Sequence, residues 1–526
     1  MGDRNPKGIL FAAVLWVVIL GILAVAAKVF VLPHFRETLE RETGSESRYK
    51  HEIALAADSF SGYCILRSPA LHSDLRQQGI KLDVRDDNAD YQARMKALLE
   101  GKVQMAVFTI DSFLSAGSRL GRYPASIVML LDETSGADAI VSYGGAVANI
   151  QDLDDPEARL VLTPDSPSEF LARTVIAHFS LPQLPPQWWV EAKGAEEVYR
   201  RFITADRTSK RAYVLWEPYV SKVLETEGAK LLLDSSKLKG YIVDVLVAER
   251  NFLAQEPALV RAVVESYFRA AYAYNGKPGG MAALVREDTG AGGSERLSEA
   301  MAEKLVRGIE WKNTLENYAA FGLLPKEQAQ GSVHLEDIIS NITRVLIKTG
   351  ALAADPLDGK AHTIFHDKIL KEMQVARYHP GKKVNVLEGV GLGTTDLERV
   401  RPREELRPLT QDQWNVLVPV GRLRFEPIRF ARGTARINVQ SERSLDELAR
   451  SLQAWPHYYL RVVGNARAEG DEAANMQLAE HRARAAADHL LSRGIPPSRV
   501  RVTAAPPAIR DASAQSVVFE LLQMPY

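Results

Sequence analysis

The sequence predicts an α/β protein in three parts: a single transmembrane helix, two α/β lobes, and a C-terminal α+β module. Three observations carry this reading. Residues 8–32 form an apolar run in which Lys28 is the only charge. From His51 to about residue 375, short apolar strand-like runs alternate with helix-like stretches. Beyond Val416 a helix, a strand and a long helix lead to a final apolar strand. The expected boundaries are a cytoplasmic tip and anchor at 1–33, a spacer at 34–50, the lobes at 51–375 (the second at about 150–235), a linker at 376–412 and the terminal module at 413–526.

The first run, as a helix rising about 1.5 Å per residue, spans roughly 37 Å, enough for a hydrocarbon core of about 30 Å. Arg4 and Lys7 outnumber Asp3 before it, so the positive-inside bias keeps the N-terminus in the cytoplasm. The expected location is therefore the bacterial inner membrane, single-pass, with the bulk of the chain in the periplasm. A cleaved signal peptide is the alternative, since Ala24-Val25-Ala26 fits a small-x-small site. The apolar run nevertheless continues through Val29-Phe30-Val31-Leu32, beyond the usual h-region of about 7–15 residues.

Composition removes several function classes. Of the 526 residues, 65 are Lys or Arg and 66 Asp or Glu, a formal net charge of -1, which leaves no electrostatic footprint for nucleic acid. The single cysteine, Cys64, excludes an intramolecular disulfide framework and any multi-cysteine metal site. His362 and His366 stand four apart beside Asp367, but without an H-E-x-x-H arrangement or an apparent third ligand, so no metal is expected. Gly389-Val390-Gly391-Leu392-Gly393 follows a strand-like run yet precedes no convincing helix, and reads as a linker turn. There is no G-x-S-x-G motif and no persuasive nucleophile with a base. The expectation is a protein that is not an enzyme and carries no cofactor.

Taken in order, residues 34–50 are charged and break at Gly44-Ser45. Ile53-Ala54-Leu55-Ala56 reads as a buried strand, Ser68 to Gln78 as a helix, Leu82-Asp83-Val84 as a strand and Tyr91 to Glu100 as a helix. Val103 to Phe108 and Ser126 to Leu131 are the next strands. Such alternation predicts a largely parallel sheet with helices on both faces. The second block repeats the theme with Arg159-Leu160-Val161-Leu162, a helix from Ser168, and Tyr213-Val214-Leu215-Trp216. Tyr241 to Val247 then reads as a strand returning to the first lobe, followed by helices at Pro257 to Tyr274 and Leu335 to Thr349.

Ligands of open α/β sheets sit outside the carboxyl ends of strands. Those ends carry Ser59, Phe60 and Tyr63, then Phe108, Thr109 and Asp111, then Glu133 and Thr134, then Ser166, then Trp216 and Glu217. These are the candidate ligand-binding residues. Helices starting at Ser61 or Ser166 would offer free backbone N–H groups to an anion, and Phe60, Phe108 and Trp216 would stack on a flat ligand. Asp111, Glu133 and Glu217 would instead favour a cation. The plain alternatives are a helix cap at Ser166 and lobe packing at Trp216.

Four stretches in residues 50–375 carry a family resemblance. They are Gly101-Lys102-Val103-Gln104-Met105-Ala106, Asp132-Glu133-Thr134-Ser135-Gly136-Ala137-Asp138, Ile150-Gln151-Asp152-Leu153 and Trp216-Glu217-Pro218-Tyr219. This part of the chain resembles the periplasmic solute-binding proteins of the nitrate, sulfonate and thiamine-precursor type, with Gln104 where their G-x-x-D-x-A turn has Asp. The resemblance implies a two-lobed periplasmic-binding-protein fold joined by crossing strands, with a small-molecule solute held between the lobes.

A second set of residues lies downstream: Ile428-Arg429-Phe430-Ala431-Arg432-Gly433-Thr434-Ala435, a helix from Ser441 to Ala454, the strand Tyr459 to Gly464, and Asn475-Met476-Gln477-Leu478-Ala479-Glu480-His481-Arg482-Ala483 opening a helix that ends at Gly494. Ile495 to Val500 and a strand from Val517 to Leu522 complete it. This stretch resembles the OmpA-like peptidoglycan-binding module. The resemblance implies that Asn475 and Arg482 bind peptidoglycan, the arginine fork taking the stem-peptide carboxylate. That family's Asp, which pairs with the stem ammonium, is here Arg467: either Glu469 or Asp471 substitutes from the same loop, or stem-peptide binding is lost.

An N-terminal anchor with an OmpA-like end also resembles flagellar stator B subunits, but residues 8–32 contain no Asp or Glu to bind a driving ion. Two functions remain open: a membrane-anchored solute binder tethered to the wall as sensor or transport accessory, and a stator-like or scaffold subunit with a polytopic membrane-protein partner.

Overall fold

In a computed structural model, the described residues are 49–238, 240–289, 297–382, 398–401, 406–431, 433–453, 455–466, 470–506 and 517–525. The expected anchor, nearly all of the spacer, the Gly389–Gly393 turn, Arg467 and Glu469 lie outside them. No helix among the described residues is long and apolar enough to cross a membrane.

The chain divides into two compact units, residues 1–53 with 72–83, and residues 54–71 with 84–526. In the smaller one, the backbone N–H groups of Lys50 and His51 both donate to Gly79 O, at 2.7 and 3.2 Å. Gly79 makes this turn at φ 75°, which a side chain would strain.

Strands in the first half are β1 (His51–Ala57), β2 (Ile80–Asp86), β3 (Met105–Thr109), β4 (Ala125–Thr134), β5 (Asp138–Tyr143), β6 (Arg159–Leu162), β7 (Trp189–Glu191), β8 (Arg211–Trp216), β9 (Ala229–Asp234), β10 (Val243–Glu249) and β11 (Ile309–Trp311). In the larger unit the first lobe has the order β11-β4-β10-β3-β1, and the second lobe β7-β6-β8-β5-β9. Ser135–Ala137 carries the chain from the first sheet to the second, and residues 235–242 carry it back.

The largely parallel sheet expected from alternation is corrected: both sheets are mixed. β1 is parallel to β3, but β10 runs antiparallel to β3 and β4, and β11 antiparallel to β4. In the second lobe β6 is parallel to β7 and β8, whereas β5 is antiparallel to β8 and β9. Two of the antiparallel members, β5 and β10, are those reached by a crossing between lobes, and such a strand needs no helical crossover to its neighbour. A helix at Ile110–Leu120, which the apolar pattern did not reveal, follows β3 directly and ends at Gly121, φ 72°. Gln104, at the atypical family position, receives the Ala54 N–H at 2.9 Å and donates to Gly101 O at 3.2 Å, closing the turn into β3.

The C-terminal module has the sheet order β12-β15-β13-β14, with β12 (Val418–Arg422), β13 (Tyr459–Asn465), β14 (Val500–Ala505) and β15 (Val517–Gln523). β14, parallel to β13, was not anticipated. Helices occupy Val439–Gln453 and Glu472–Ser492. The second starts three residues before Asn475, because Asp471 caps it by accepting the Ala474 N–H at 2.8 Å. Arg499, buried, donates to the carbonyls of Leu452 (2.9 Å), Tyr458 (2.5 Å) and Trp455. It thereby satisfies one carbonyl left over at the end of the helix Val439–Gln453 and two in the segment that follows it.

The module is joined to the second lobe by a short strand-like contact after the helix Pro167–His178. Ser180 N donates to Arg422 O (2.9 Å), Arg424 N donates to His178 O (2.6 Å), and Phe179 bridges Leu423 antiparallel. Gln151 clamps the pair, donating to Ser180 O at 2.9 Å and accepting from Arg422 N at 3.1 Å.

Candidate functional site

Strand ends of both lobes and the crossing strands meet at a recess of about 350 Å³, counted to its open mouth. Asp58, Phe60, Tyr63 and Tyr91 come from the first lobe, Pro167 and Trp216 from the second, and Thr134, Asp138, Ile242 and Asp244 from the crossing region. Its walls are built from below. Arg94, 1% exposed, donates to Asp58 (3.1 Å), Asp87 (2.7 Å) and the Val107 carbonyl, with its guanidinium over the Tyr91 ring at 4.8 Å. Arg67 holds the Asp58 and Phe60 carbonyls (2.8 and 2.9 Å) and pairs with Asp288 at 2.7 Å. The Asp58 carboxylate also accepts the Phe60 N–H at 3.0 Å, which fixes the turn that presents Phe60.

The floor is acidic and buried. Tyr63 OH donates to Asp244, and beside Asp244 lies Asp132, completely buried and with no donor among the described residues other than the Asp244 carboxyl itself. Burial, and then the neighbouring Asp132 carboxylate, hold Asp244 well above the usual carboxylate range. Burial likewise raises Asp132. Asp138 is pushed up to about 7 by burial, with the Glu217 charge adding to it. The Thr134 hydroxyl leans on Asp138 but makes no hydrogen bond of ordinary geometry.

Of the residues singled out from the sequence, Phe60, Tyr63, Thr134 and Trp216 line this recess. The other seven stand elsewhere. Ser59 is exposed on the preceding turn. Phe108 is fully buried against Tyr91 and Phe113, so it packs the core and does not stack on a ligand. Thr109 Oγ1 donates to Ser112 Oγ at 2.8 Å, and Asp111 is buried in the first turn of Ile110–Leu120. Glu133 is bound by Lys312 Nζ and Gly240 N, both at 2.6 Å, on a separate cavity. Ser166 Oγ donates to Thr163 O at 2.7 Å. Glu217 accepts the Ser221 N–H and hydroxyl at 3.0 and 2.7 Å. Asp58, Tyr91, Asp138 and Asp244 were missed. The available signal was an acid inside an apolar strand, as in Val243-Asp244-Val245-Leu246.

In the terminal module, Arg482 Nε donates to Thr434 O at 3.0 Å and its guanidinium lies 5.1 Å from the Phe430 ring centre. Asn475 is on the same helix, close to Gly470. Asp471 is engaged as the helix cap, so its carboxylate serves the backbone. No group of three or more His, Cys, Asp or Glu suited to a metal ion occurs among the described residues.

Residues 429–514 match the OmpA family. Over 74 residues, 14% of this chain, the sequence is 34% identical to the peptidoglycan-associated lipoprotein of Brucella melitensis, and the match covers 44% of that protein. The peptidoglycan-associated lipoprotein of Rhizobium meliloti is also 34% identical over 74 residues, 42% of its length. The chain thus spans less than half the length of these curated relatives. Among solved structures, the periplasmic nitrate-binding protein NrtA from Synechocystis PCC 6803 aligns at 10% identity over 62% of this chain and 88% of that one, with a TM-score of 0.45. The periplasmic aliphatic sulphonate binding protein SsuA from Escherichia coli aligns at 13% identity over 59% of this chain and 91% of that one, with a TM-score of 0.43.

Proposed function

We propose that this is an envelope protein that holds a small solute between its two lobes while its OmpA-like module grips peptidoglycan, as a sensor or an accessory to transport. The observation that carries the reading is the recess, to which both lobes and the strands crossing between them contribute side chains. Concave sites with a few convergent polar groups among aromatic walls are the usual form of a small-molecule site. In this reading residues 8–32 span the inner membrane with the N-terminus in the cytoplasm, and the rest of the chain is periplasmic. Arg482 holds the stem-peptide carboxylate through its planar fork. The protein performs no catalytic step and needs no cofactor.

Isothermal titration of the full-length protein against a broad panel of small metabolites tests this. A saturable heat from at least one compound, reduced by Trp216→Ala, is expected; silence across the panel would reject solute binding.

A scaffold reading has one specific observation in its favour. The helix Leu335–Lys348 packs against helices of both lobes, Ile110–Leu120 and Pro167–His178. Arg173 donates to Thr349 O at 2.8 Å just past it, and Arg119 pairs with Asp165 across the lobes. These links restrain opening. Co-purification with a polytopic membrane protein at fixed stoichiometry would favour the scaffold.

A further inference from the structure

We infer that the recess takes a small organic cation, an ammonium group paired with Asp138 and Asp244 inside walls formed by Phe60, Tyr91 and Trp216. This rests on the solute-binding reading and names the charge of the solute, which the sequence left undecided.

Four observations lead to it. First, the lining contains three carboxylates, Asp58, Asp138 and Asp244, and no Lys, Arg or His among the described residues. Second, cations behind the recess walls are committed to other acids. Arg94 is spent on Asp58 and Asp87, Arg67 on Asp288, and Lys312 on Glu133. Asp58 shares Arg94 with Asp87, while Asp138 and Asp244 face the recess with no cationic partner among the described residues.

Third, one of the two helix starts that argued for an anion, the one at Ser166, is already occupied. The helix at the recess begins with Pro167, which has no N–H, and Ser166 turns its hydroxyl onto Thr163 O. Glu169 supplies the first turn of that helix with its own carboxylate, accepting the Asp165 N–H at 2.6 Å. That carboxylate is in turn paired with Arg173 at 2.6 Å, so this helix start is filled by an ion pair internal to the protein.

Fourth, Asp244 and Asp132 are side by side, 1% and 0% exposed, and two carboxylates out of water repel one another. A cation on Asp244 relieves that repulsion and lets the pair ionise. The aromatic faces add attraction of their own, because a ring quadrupole draws a desolvated ammonium. Uptake of the cation therefore expels a proton from the acid floor, and affinity rises with pH.

The test uses full-length protein and two matched sets of probes at constant ionic strength: ethylammonium and tetramethylammonium against methanesulfonate and nitrate. Titration calorimetry at pH 5.5 and pH 8, in two buffers of different ionisation enthalpy, reads binding and proton release together. A saturable signal from at least one cation is expected, tighter at pH 8, with release of protons and no response to the anions. Asp244→Asn, which keeps the acceptor for Tyr63, and Trp216→Leu, whose fold is checked by circular dichroism, should each weaken cation binding at least tenfold. Saturable binding of an anion in place of the cations would overturn the inference and leave the solute-binding reading standing. Cation binding unchanged in both folded variants would overturn it as non-specific. Silence from all four probes would overturn it too, while the metabolite panel decides separately whether the recess binds any solute.

Discussion

The Phe179 ring meets the Trp455 indole edge to face, with centroids 5.7 Å apart and planes at 90°. Both residues are completely buried, one at the end of a helix of the second lobe and the other just beyond the helix Val439–Gln453 of the terminal module. Gly421 makes room for this contact: a Cβ there would stand 2.6 Å from Phe179 Cδ1. The second lobe and the C-terminal module are thus joined by an aromatic plug in addition to a few backbone hydrogen bonds. A population shift in one part has a mechanical route to the other.

Phe179→Ala should cost about 3–5 kcal/mol, the range for emptying a buried aromatic site. The loss falls on the joint, so the lobes and the module should unfold in two separate calorimetric transitions where the wild type unfolds more cooperatively. A single unchanged transition would mean that the plug contributes little.

The same joint should weaken in acid. Burial pushes the His178 imidazole down to about 4, with the Lys348 and Arg344 charges adding to it against the Thr174 carbonyl. His178 Nδ1–H donates to that carbonyl at 2.8 Å, and its ring is 5.1 Å from Trp455. A free histidine binds its proton near pH 6.5. Between about 6.5 and 4 the unfolded chain therefore holds the extra proton, and stability falls as pH falls, by at most roughly 3 kcal/mol. In His178→Gln the dependence of the melting temperature on pH in that window should flatten; an identical slope would rule out His178 as its source.

Asp111 produces the opposite slope. Burial pushes its carboxyl up to about 7, against the Thr109 hydroxyl and a backbone N–H, and one of its oxygens has no hydrogen-bond partner among the described residues. The unfolded chain releases this proton near pH 4 and the folded chain near 7, so stability falls as pH rises between them. Asp111→Asn should raise the melting temperature at pH 8, by no more than roughly 4 kcal/mol of stability, and have little effect near pH 4. A variant equally stabilised at both pH values would show that ionisation is not the cause.

Gly464→Ala should disable the terminal module. A Cβ at Gly464 would sit 1.9 Å from Ala479 O, a backbone atom of the long helix that cannot step aside. β13 and that helix would have to separate, and overpacking of this kind costs about 1–3 kcal/mol or more. Differential scanning calorimetry should show an earlier module transition splitting away from that of the lobes; an unchanged profile would mean that the strand and helix accommodate the methyl group.

How far the sequence led depended on the kind of signal. The stretches Arg159-Leu160-Val161-Leu162 and Tyr459 to Gly464 were legible because β-branched and apolar residues run together between polar breaks. Pairing direction was not, since β10 acquires its antiparallel neighbours only by crossing from the other lobe. The helix Ile110–Leu120 was masked because Ile110 directly continues the apolar run of β3. In the candidate site the aromatic walls Phe60 and Trp216 could be read from strand ends. The acids could not be ranked that way: Glu133 and Glu217 are bound within the protein, whereas Asp138 and Asp244, from distant strands, meet only in three dimensions.

The claim that this chain holds its solute-binding lobes at the wall is tested most directly by retention on purified sacculi. Arg482 lies over Phe430 beside Thr434, within the segment that matches the OmpA family. Full-length wild-type protein should sediment with sacculi, and Arg482→Ala, shown to be folded, should lose at least tenfold in retention. Equal retention of the two proteins, or no retention of the wild type, would contradict it.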